Sequence, residues 1–139
     1  MVREYRKCHS RSTHTIVQNQ GHSGVSHPDR GYDLFVTAAT GDGVRMWDTR
    51  SSGDTCVQRY DSVVSGRHQV GMDLSPCMQY LATGSEDGHV YVYDTRHVRS
   101  HVSRVNTGGE VVTDVSFSPG QNQLVAVTLE GILATFTNK

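Results

Sequence analysis

Eight histidines among the 139 residues of this chain are potential metal ligands. Six of them fall into two groups, His9, His14, His22 and His27 near the N-terminus and His97 and His101 further along. A pair of histidines four residues apart binds metal when it lies on a helix. Residues 97–101 are instead predicted as a loop between strands, with no carboxylate placed beside them. We therefore interpret these histidines as scattered surface residues, with an adventitious metal site as the alternative, and predict no metal centre.

Nucleophilic catalysis would require a serine or cysteine held beside a base. The chain has no Gly-x-Ser-x-Gly elbow, and neither Cys56 nor Cys77 has a histidine at a suggestive spacing. The Gly41-Asp42-Gly43 sequence resembles a phosphate loop only superficially, because no Gly-x-x-x-x-Gly-Lys follows. The sequence thus predicts no catalytic residue and no cofactor, and we expect a protein that is not an enzyme. Three cysteines also argue against a disulfide framework.

The elements that position these side chains are predicted to be strands. The chain contains 19 Val and 13 Thr but only 6 Leu and 5 Ala, a balance that favours strands over helices. No segment has an apolar stripe with the 3.6-residue period of a helix. The composition therefore predicts an all-β fold, and the 14 glycines suit many tight turns.

Charge and hydropathy limit the environment and the partners. Lys and Arg total 13 and Asp and Glu total 14, which gives a net charge of −1 and little electrostatic attraction for nucleic acid. No apolar run is long enough to span a bilayer, and the N-terminus lacks the apolar region of a secretion signal. We expect an intracellular protein, cytoplasmic or nuclear, with no membrane partner. An RNA contact through Arg99, His101 and Arg104 is the weakest alternative.

An internal repeat is the most informative feature of the sequence. Residues 35–48, 81–94 and 124–137 align without gaps at offsets of 46 and 43, and each reads as strand, Gly/Asp turn and strand. The second strand of each hairpin ends in an aromatic residue, Trp47, Tyr93 or Phe136. Upstream, residues 72–76 align with residues 115–119, and both pieces end in Ser-Pro.

These repeats resemble those of the WD-repeat β-propeller family, over about residues 32–139. The resemblance rests on the 43- to 46-residue period, on the two Ser-Pro strand ends, and on the aromatic-Asp-Thr-Arg sequences that start at Trp47 and Tyr93. It implies an all-β partial β-propeller of about three four-stranded antiparallel blades. The predicted blades cover about residues 32–61, 68–106 and 111–139, and follow an N-terminal segment of residues 1–31.

The resemblance also places the individual strands. They are expected at residues 14–18, 34–38, 44–48 and 56–60 in blade one, 70–75, 80–84, 89–94 and 100–105 in blade two, and 111–118, 123–128 and 132–137 in blade three. Because the third blade ends after its third strand, residues 2–7 are a candidate closing strand, with a tail outside the fold as the alternative.

Three blades do not close a propeller, which has about 4–8 blades. We therefore expect either a fragment or splice form of a longer propeller, or self-association of this chain, or a partner that supplies the other blades. Self-assembly or a truncated product is favoured, because cyclic association of identical chains is a common route to closure.

The resemblance further implies a structural hydrogen-bond set in each blade, made of a Thr or Ser, an Asp, a His and a Trp. The matching residues are Thr37 and Trp47 in blade one, His68, Thr83, Asp87 and Tyr93 in blade two, and Glu130 and Phe136 in blade three. Gly41 stands at the Asp position of blade one and Ala126 at the Thr position of blade three. Blade two is therefore expected to build most of the set.

The function implied by the resemblance is a non-catalytic scaffold that presents loops to protein or peptide partners. The loops expected to do so are residues 40–43, 61–68, 86–88 and 106–110. A structural component of a larger assembly is the first alternative. The second is docking onto a cullin-4 ubiquitin-ligase adaptor through the Trp-Asp-x-Arg ending, with Arg50 and Arg96 as candidate contacts.

Overall fold

A computed structural model describes residues 3–6, 8–18, 33–51, 56–96 and 101–137, with side chains except at residues 101 and 102. Eleven strands arranged in three antiparallel sheets make up the regular structure of these residues, which contain no α-helix. The prediction of an all-β fold built from antiparallel blades is therefore confirmed. The described residues form no helix long and apolar enough to cross a membrane.

The first two sheets have four strands each, in the same order in space as in sequence. The first sheet contains β1 (Thr13–Gln18), β2 (Leu34–Ala39), β3 (Gly43–Asp48) and β4 (Gln58–Tyr60). The second contains β5 (Met72–Leu74), β6 (Tyr80–Thr83), β7 (His89–Asp94) and β8 (His101–Asn106). Each is an up-and-down meander, in which strands that follow one another in the sequence pair antiparallel.

The third sheet has three strands, in the order β11-β10-β9. They are β9 (Val112–Phe117), β10 (Gln123–Thr128) and β11 (Leu133–Thr137). Every strand expected within the three blades has a counterpart in the three sheets, with ends that differ by two residues or fewer.

The candidate closing strand at residues 2–7 is not formed by residues 3–6, the part that is described without interruption. These residues lie outside the strands, and the Arg3 guanidinium donates to the carbonyl of Thr49 next to the first sheet. The Tyr5 ring packs edge-on against Phe35 and Trp47, with centroid distances of 5.5 and 5.8 Å. The expectation failed because these aromatic contacts hold the segment against the first sheet rather than the third.

Two apolar cores lie between the stacked sheets. Val36 and Met46 of the first sheet are buried against Leu81 and Tyr93 of the second, and the Tyr60 and Tyr93 rings lie 4.8 Å apart. Burial raises the pKa of Tyr93 to about 12, so that its hydroxyl is neutral at physiological pH. The second sheet therefore contributes one of its two faces to this core.

The other face of the second sheet packs against the third sheet. Ala82 and Val90 are buried there against Val115 and Leu124, with Phe136 half-buried at the margin. A sheet with both faces buried explains why β6 and β7 carry consecutive buried residues rather than a simple alternation.

The two end faces of the stack differ. On the first sheet the end face is covered by the N-terminal segment, and the Trp47 side chain is only 2% exposed. On the third sheet Val127 and Leu133 pair across the hairpin on the outer face, where they are 36% and 65% exposed. Exposed apolar side chains paired in this way mark a surface that is suited to further packing.

Glycines permit close approach between the second and third sheets. A Cβ on Gly84 would lie 2.5 Å from the carbonyl oxygen of Val112, and one on Gly71 would overlap the carboxylate of Asp114. The Gly71 N–H also donates to the carbonyl of Thr113 at 2.7 Å. The spacing of these two sheets therefore depends on glycine at both positions.

We expect Gly84→Ala to lower the free energy of unfolding by about 1–3 kcal/mol, because the added methyl must push the backbone of the third sheet away. Urea unfolding followed by circular dichroism measures this change. Gly120→Ala is the matched control, since no atom lies within 4 Å of its Cβ position. It should change stability by less than about 0.5 kcal/mol. Equal stability of the two variants would contradict the proposed contact.

Candidate functional site: a buried histidine network and the two ends of the sheets

A four-residue hydrogen-bond network is buried on the end face of the first sheet. His9 Nδ1 lies 2.9 Å from Asp42 Oδ2, and His9 Nε2 lies 2.7 Å from Thr37 Oγ1. The Trp47 indole Nε1–H donates to the same Thr37 hydroxyl at 2.8 Å. Thr37 on β2 and Trp47 on β3 come from one hairpin, whereas His9 precedes β1. The network therefore ties the N-terminal segment to the first sheet.

A neutral His9 with its proton on Nδ1 satisfies all members at once. In that tautomer the Nδ1–H donates to Asp42, the Thr37 hydroxyl donates to Nε2, and Thr37 Oγ1 accepts from Trp47. Each buried polar atom has a partner, so the network rigidifies the site without the cost of an unpaired polar group.

The carboxylate of Asp42 is the anionic anchor of this network. Burial acts to raise its pKa, but hydrogen bonds from Ser10 N–H and the His9 ring and the charge of Arg45 hold the pKa of Asp42 below its ordinary value. Arg45 also donates to the carbonyl of Cys8 at 2.5 Å. The guanidinium therefore bridges the hairpin turn and the N-terminal segment.

The order Thr37, His9, Asp42 is that of a nucleophile–base–acid triad. The Thr37 side chain is buried, and its oxygen already accepts from Trp47 while lying against His9. The His9 side chain is 0% exposed, so the paired atoms have no access to a substrate. This arrangement can hold the hairpin and the N-terminal segment together, but it cannot deliver Thr37 to a carbonyl.

The set expected in blade two is not brought together. The hydroxyl of Thr83 donates to the carbonyl of Gly84 at 3.0 Å, and Asp87 accepts from the Tyr91 hydroxyl at 2.5 Å. The Tyr93 ring packs against the first sheet. The complete network therefore forms in blade one, where Asp42 rather than Gly41 supplies the acid.

His68 does precede the first strand of the second sheet, but its partner is Glu86 rather than Asp87. Glu86 Oε1 accepts the backbone N–H groups of Arg67 and His68 at 2.6 and 2.5 Å, and the His68 ring lies 3.2 Å away. Burial acts to raise the pKa of Glu86, but these hydrogen bonds keep it below its ordinary value.

The third sheet repeats the carboxylate contact without a histidine. Glu130 Oε1 accepts the backbone N–H of Glu110 at 2.6 Å. Ala126 offers no hydroxyl, and Phe136 packs at the margin of the second core. In all three sheets, a carboxylate in or beside the turn before the third strand therefore holds the loop ahead of the first strand.

Sequence reasoning missed His9, Asp42 and Glu86. The three carboxylates Asp42, Glu86 and Glu130 follow one another at intervals of 44 residues, which was the available signal. The 44-residue interval does not coincide with the repeat alignment, because the turns of the hairpins differ in length. The first hairpin pairs as far as Ala39 with Gly43, whereas the second pairs only as far as Thr83 with Tyr91. The two turns therefore present different aligned positions to the neighbouring loop.

The two candidate partner-binding arginines are engaged with their own loops. Arg50 donates to the carboxylate of Asp48 and lies 3.2 Å from Asp33, and Arg96 makes a two-pronged contact with Asp94. Their side chains are about half exposed, at 54% and 52%. Each aromatic-Asp-Thr-Arg sequence therefore forms a closed turn, which a docking partner would have to share with the aspartate.

The N-terminal histidines do not gather into one described site. His14 Nδ1 contacts its neighbour Thr15, and burial followed by the proximity of His9 lowers the pKa of His14. Residues His22, His27 and His97 and the side chain of His101 lie outside the described part. Among the described residues no group of three metal-binding side chains occurs.

At the end opposite the turns that carry Asp42, Glu86 and Glu130, a groove of about 1180 Å³ opens between the second and third sheets. Its walls include the Ser75-Pro76 and Ser118-Pro119 turns, and strands β7, β8 and β11 border it. A smaller depression of about 370 Å³ lies near Arg11, Thr40 and Gln69. The larger groove offers the extended surface that a peptide requires.

Residues 54–94 match the family model of the WD domain, G-beta repeat. This match supports the WD-repeat family. The matched segment begins before β4 of the first sheet and ends with β7 of the second. The sequence repeat is thus out of phase with the sheets, so that one repeat links two neighbouring blades.

We expect Thr37→Val to lower the free energy of unfolding by about 2–4 kcal/mol, because His9 Nε2 and Trp47 Nε1 both lose a buried partner. Chemical denaturation measures the loss. Thr83→Val is the matched control, since Thr83 makes a single bond to the adjacent backbone. That variant should lose about 1 kcal/mol or less. A larger loss at Thr83 would place the critical network in blade two.

Proposed function

We propose that this protein is a non-catalytic scaffold for protein–protein interaction, and that it presents a braced layer of loops to its partners. The supporting observation is a set of hydrogen bonds that runs across all three sheets at one end. The N–H of Gly41 donates to Ser65 O at 2.6 Å, Glu86 N–H to Val64 O at 2.8 Å, and Thr107 N–H to Gly88 O at 3.1 Å.

The carboxylates Glu86 and Glu130 add further bonds to the same layer, through the backbone of Arg67 and Glu110. A surface fixed in this way loses little conformational entropy when a partner binds, which favours affinity. The WD-repeat match over residues 54–94 supports the same role, because it includes the loop between β4 and β5.

The loop between β4 and β5 offers the apolar contact that a protein partner would use. Val64 is held by its backbone but exposes 49% of its surface, and Arg67 and Gln69 are exposed beside it. A loop that exposes an apolar residue together with an arginine and an amide side chain has the composition of an interface centre with a polar rim.

We expect Val64→Glu to weaken partner binding by about tenfold or more, because it places a charge at the centre of this surface. Affinity capture from the source cells, with quantitative mass spectrometry, compares the variant with the unaltered chain. Val57→Glu is the matched control, since Val57 is 48% exposed but lies beside β4, outside the loop layer. Indistinguishable protein sets for both variants and the unaltered chain would contradict a scaffold that binds through these loops.

We also propose that further blades, from a second copy or from another protein, pack on the outer face of the third sheet. Val127 and Leu133 support this, because they are exposed on a face that is equivalent to faces buried elsewhere in the stack. The narrower likeness of the sequence to the last blades of WD repeat-containing protein 27 is a hypothesis that the match over residues 54–94 does not support.

For self-association, light scattering is expected to give a particle mass above 15.3 kDa. Leu133→Lys should shift the mass towards that of one chain, because it charges the outer face of the third sheet. Val57→Lys, which changes an exposed valine elsewhere, should leave the mass unaltered. A single 15.3 kDa chain that unfolds cooperatively in the absence of other proteins would contradict the need for further blades.

A further inference from the structure

A small polar depression lies where loops of the first and second sheets meet. Its volume is about 370 Å³, and the residues that line it are Arg11, Ser12, Thr40 and Gln69. Arg11 and Ser12 come directly before β1, Thr40 follows β2, and Gln69 belongs to the loop between β4 and β5. Three loops from two sheets therefore contribute side chains to one surface.

Arg11 is the one charged residue among the described residues of this lining, and its side chain is exposed. Within the described part of the chain it makes no ion pair or hydrogen bond. The carboxylates of the adjoining loops are already engaged. Asp42 accepts from Ser10 N–H at 2.9 Å and from Arg45 at 3.0 Å, and Glu86 accepts backbone N–H groups of the loop between β4 and β5. The Arg11 guanidinium is therefore available to a ligand.

The Arg11 side chain packs on a fixed piece of backbone. Its Cδ and Nε atoms lie 3.3 Å from the position that a Cβ on Gly41 would occupy. The Gly41 N–H donates to Ser65 O at 2.6 Å, which ties this turn to the neighbouring loop. The residue before Arg11 is held as well, because the Ser10 N–H is bonded to Asp42. These restraints exist before a ligand arrives, so they lower the entropic cost of binding.

The donors of the depression define the ligand. A guanidinium offers paired N–H groups that match the two oxygens of a carboxylate. The hydroxyls of Ser12 and Thr40 and the amide of Gln69 are further donors on the same surface. A phosphorylated side chain carries about two negative charges, whereas the described lining supplies one positive charge. The charge balance therefore favours a carboxylate over a phosphate group.

We propose that this depression binds the carboxylate of an acidic side chain on a partner protein, with Arg11 as the charged donor. The inference deepens the proposed scaffold function and rests on it, because it names the chemistry of the partner. In this arrangement Val64 provides the apolar contact of the loop surface, and Arg11 provides the contact that selects for charge.

The probe is the peptide acetyl-Gly-Ser-Glu-Ser-Gly-amide, whose single charge is the glutamate carboxylate. Titration into the full chain, followed by NMR, should shift the Arg11 Nε–H resonance with a Kd of about 1–10 mM, as a single side-chain contact permits. The same peptide with glutamine in place of glutamate should bind about tenfold more weakly or less, because the guanidinium loses its ionic partner.

Variants of the protein test whether Arg11 carries this binding. Arg11→Gln should abolish the peptide-induced shifts of the Thr40 and Gln69 amides, and Arg11→Lys should weaken binding severalfold because an ammonium lacks the planar fork. Arg104→Gln is the matched control, since Arg104 is exposed on β8 and its loss changes the net charge equally. That variant should bind the peptide as the unaltered chain does.

Three results would overturn the proposal. They are the absence of a shift at Arg11, equal affinity for the glutamate and glutamine peptides, and unchanged binding by Arg11→Gln. A phosphoserine peptide that binds more than about tenfold tighter than the glutamate peptide would also overturn it, in favour of a phosphate ligand. The Val64→Glu capture experiment uses cellular partners instead of these peptides, so the scaffold function and the carboxylate site can fail separately.

Discussion

The structure depends on the burial of both faces of a four-stranded sheet. The second sheet presents Leu81 and Tyr93 to one neighbour and Ala82 and Val90 to the other, so its stability requires a sheet on each side. This requirement explains the glycines at positions 71 and 84, where the third sheet approaches too closely for a side chain. The first and third sheets each pack against the second sheet with one face only, which sets the two end faces of the stack apart.

The first sheet shows one way of covering an end face. Tyr5 and His9 come from a segment with no regular structure, yet they bury Trp47 and complete the network with Asp42 and Thr37. The network can use histidine here because every donor and acceptor is satisfied by the neutral ring. The other two sheets keep the contact between a carboxylate and the preceding loop, but they have aromatic packing or apolar residues where the first sheet has its hydrogen-bond network. The three blades therefore share the carboxylate contact but not the network.

The two ends of the sheets differ in the surfaces that they present. At the braced end the loops are joined across sheets by backbone hydrogen bonds, which suits a preformed binding surface. At the other end, the groove between the second and third sheets is lined by the Ser75-Pro76 and Ser118-Pro119 turns.

The sequence by itself determined the strands and their grouping into hairpins, because alternation, turn glycines and the repeat of aromatic residues are local signals. Even β1, separated from β2 by a long polar stretch, was placed within one residue of its observed start. The sequence did not determine which carboxylate forms hydrogen bonds with which loop. His9 lies 28 residues before Thr37, and Asp42 occupies a position that the repeat alignment assigns to glycine in blade two. Only the tertiary structure decided these pairings and the placement of residues 3–6, because they depend on how the sheets stack and on hydrogen-bond geometry between distant segments.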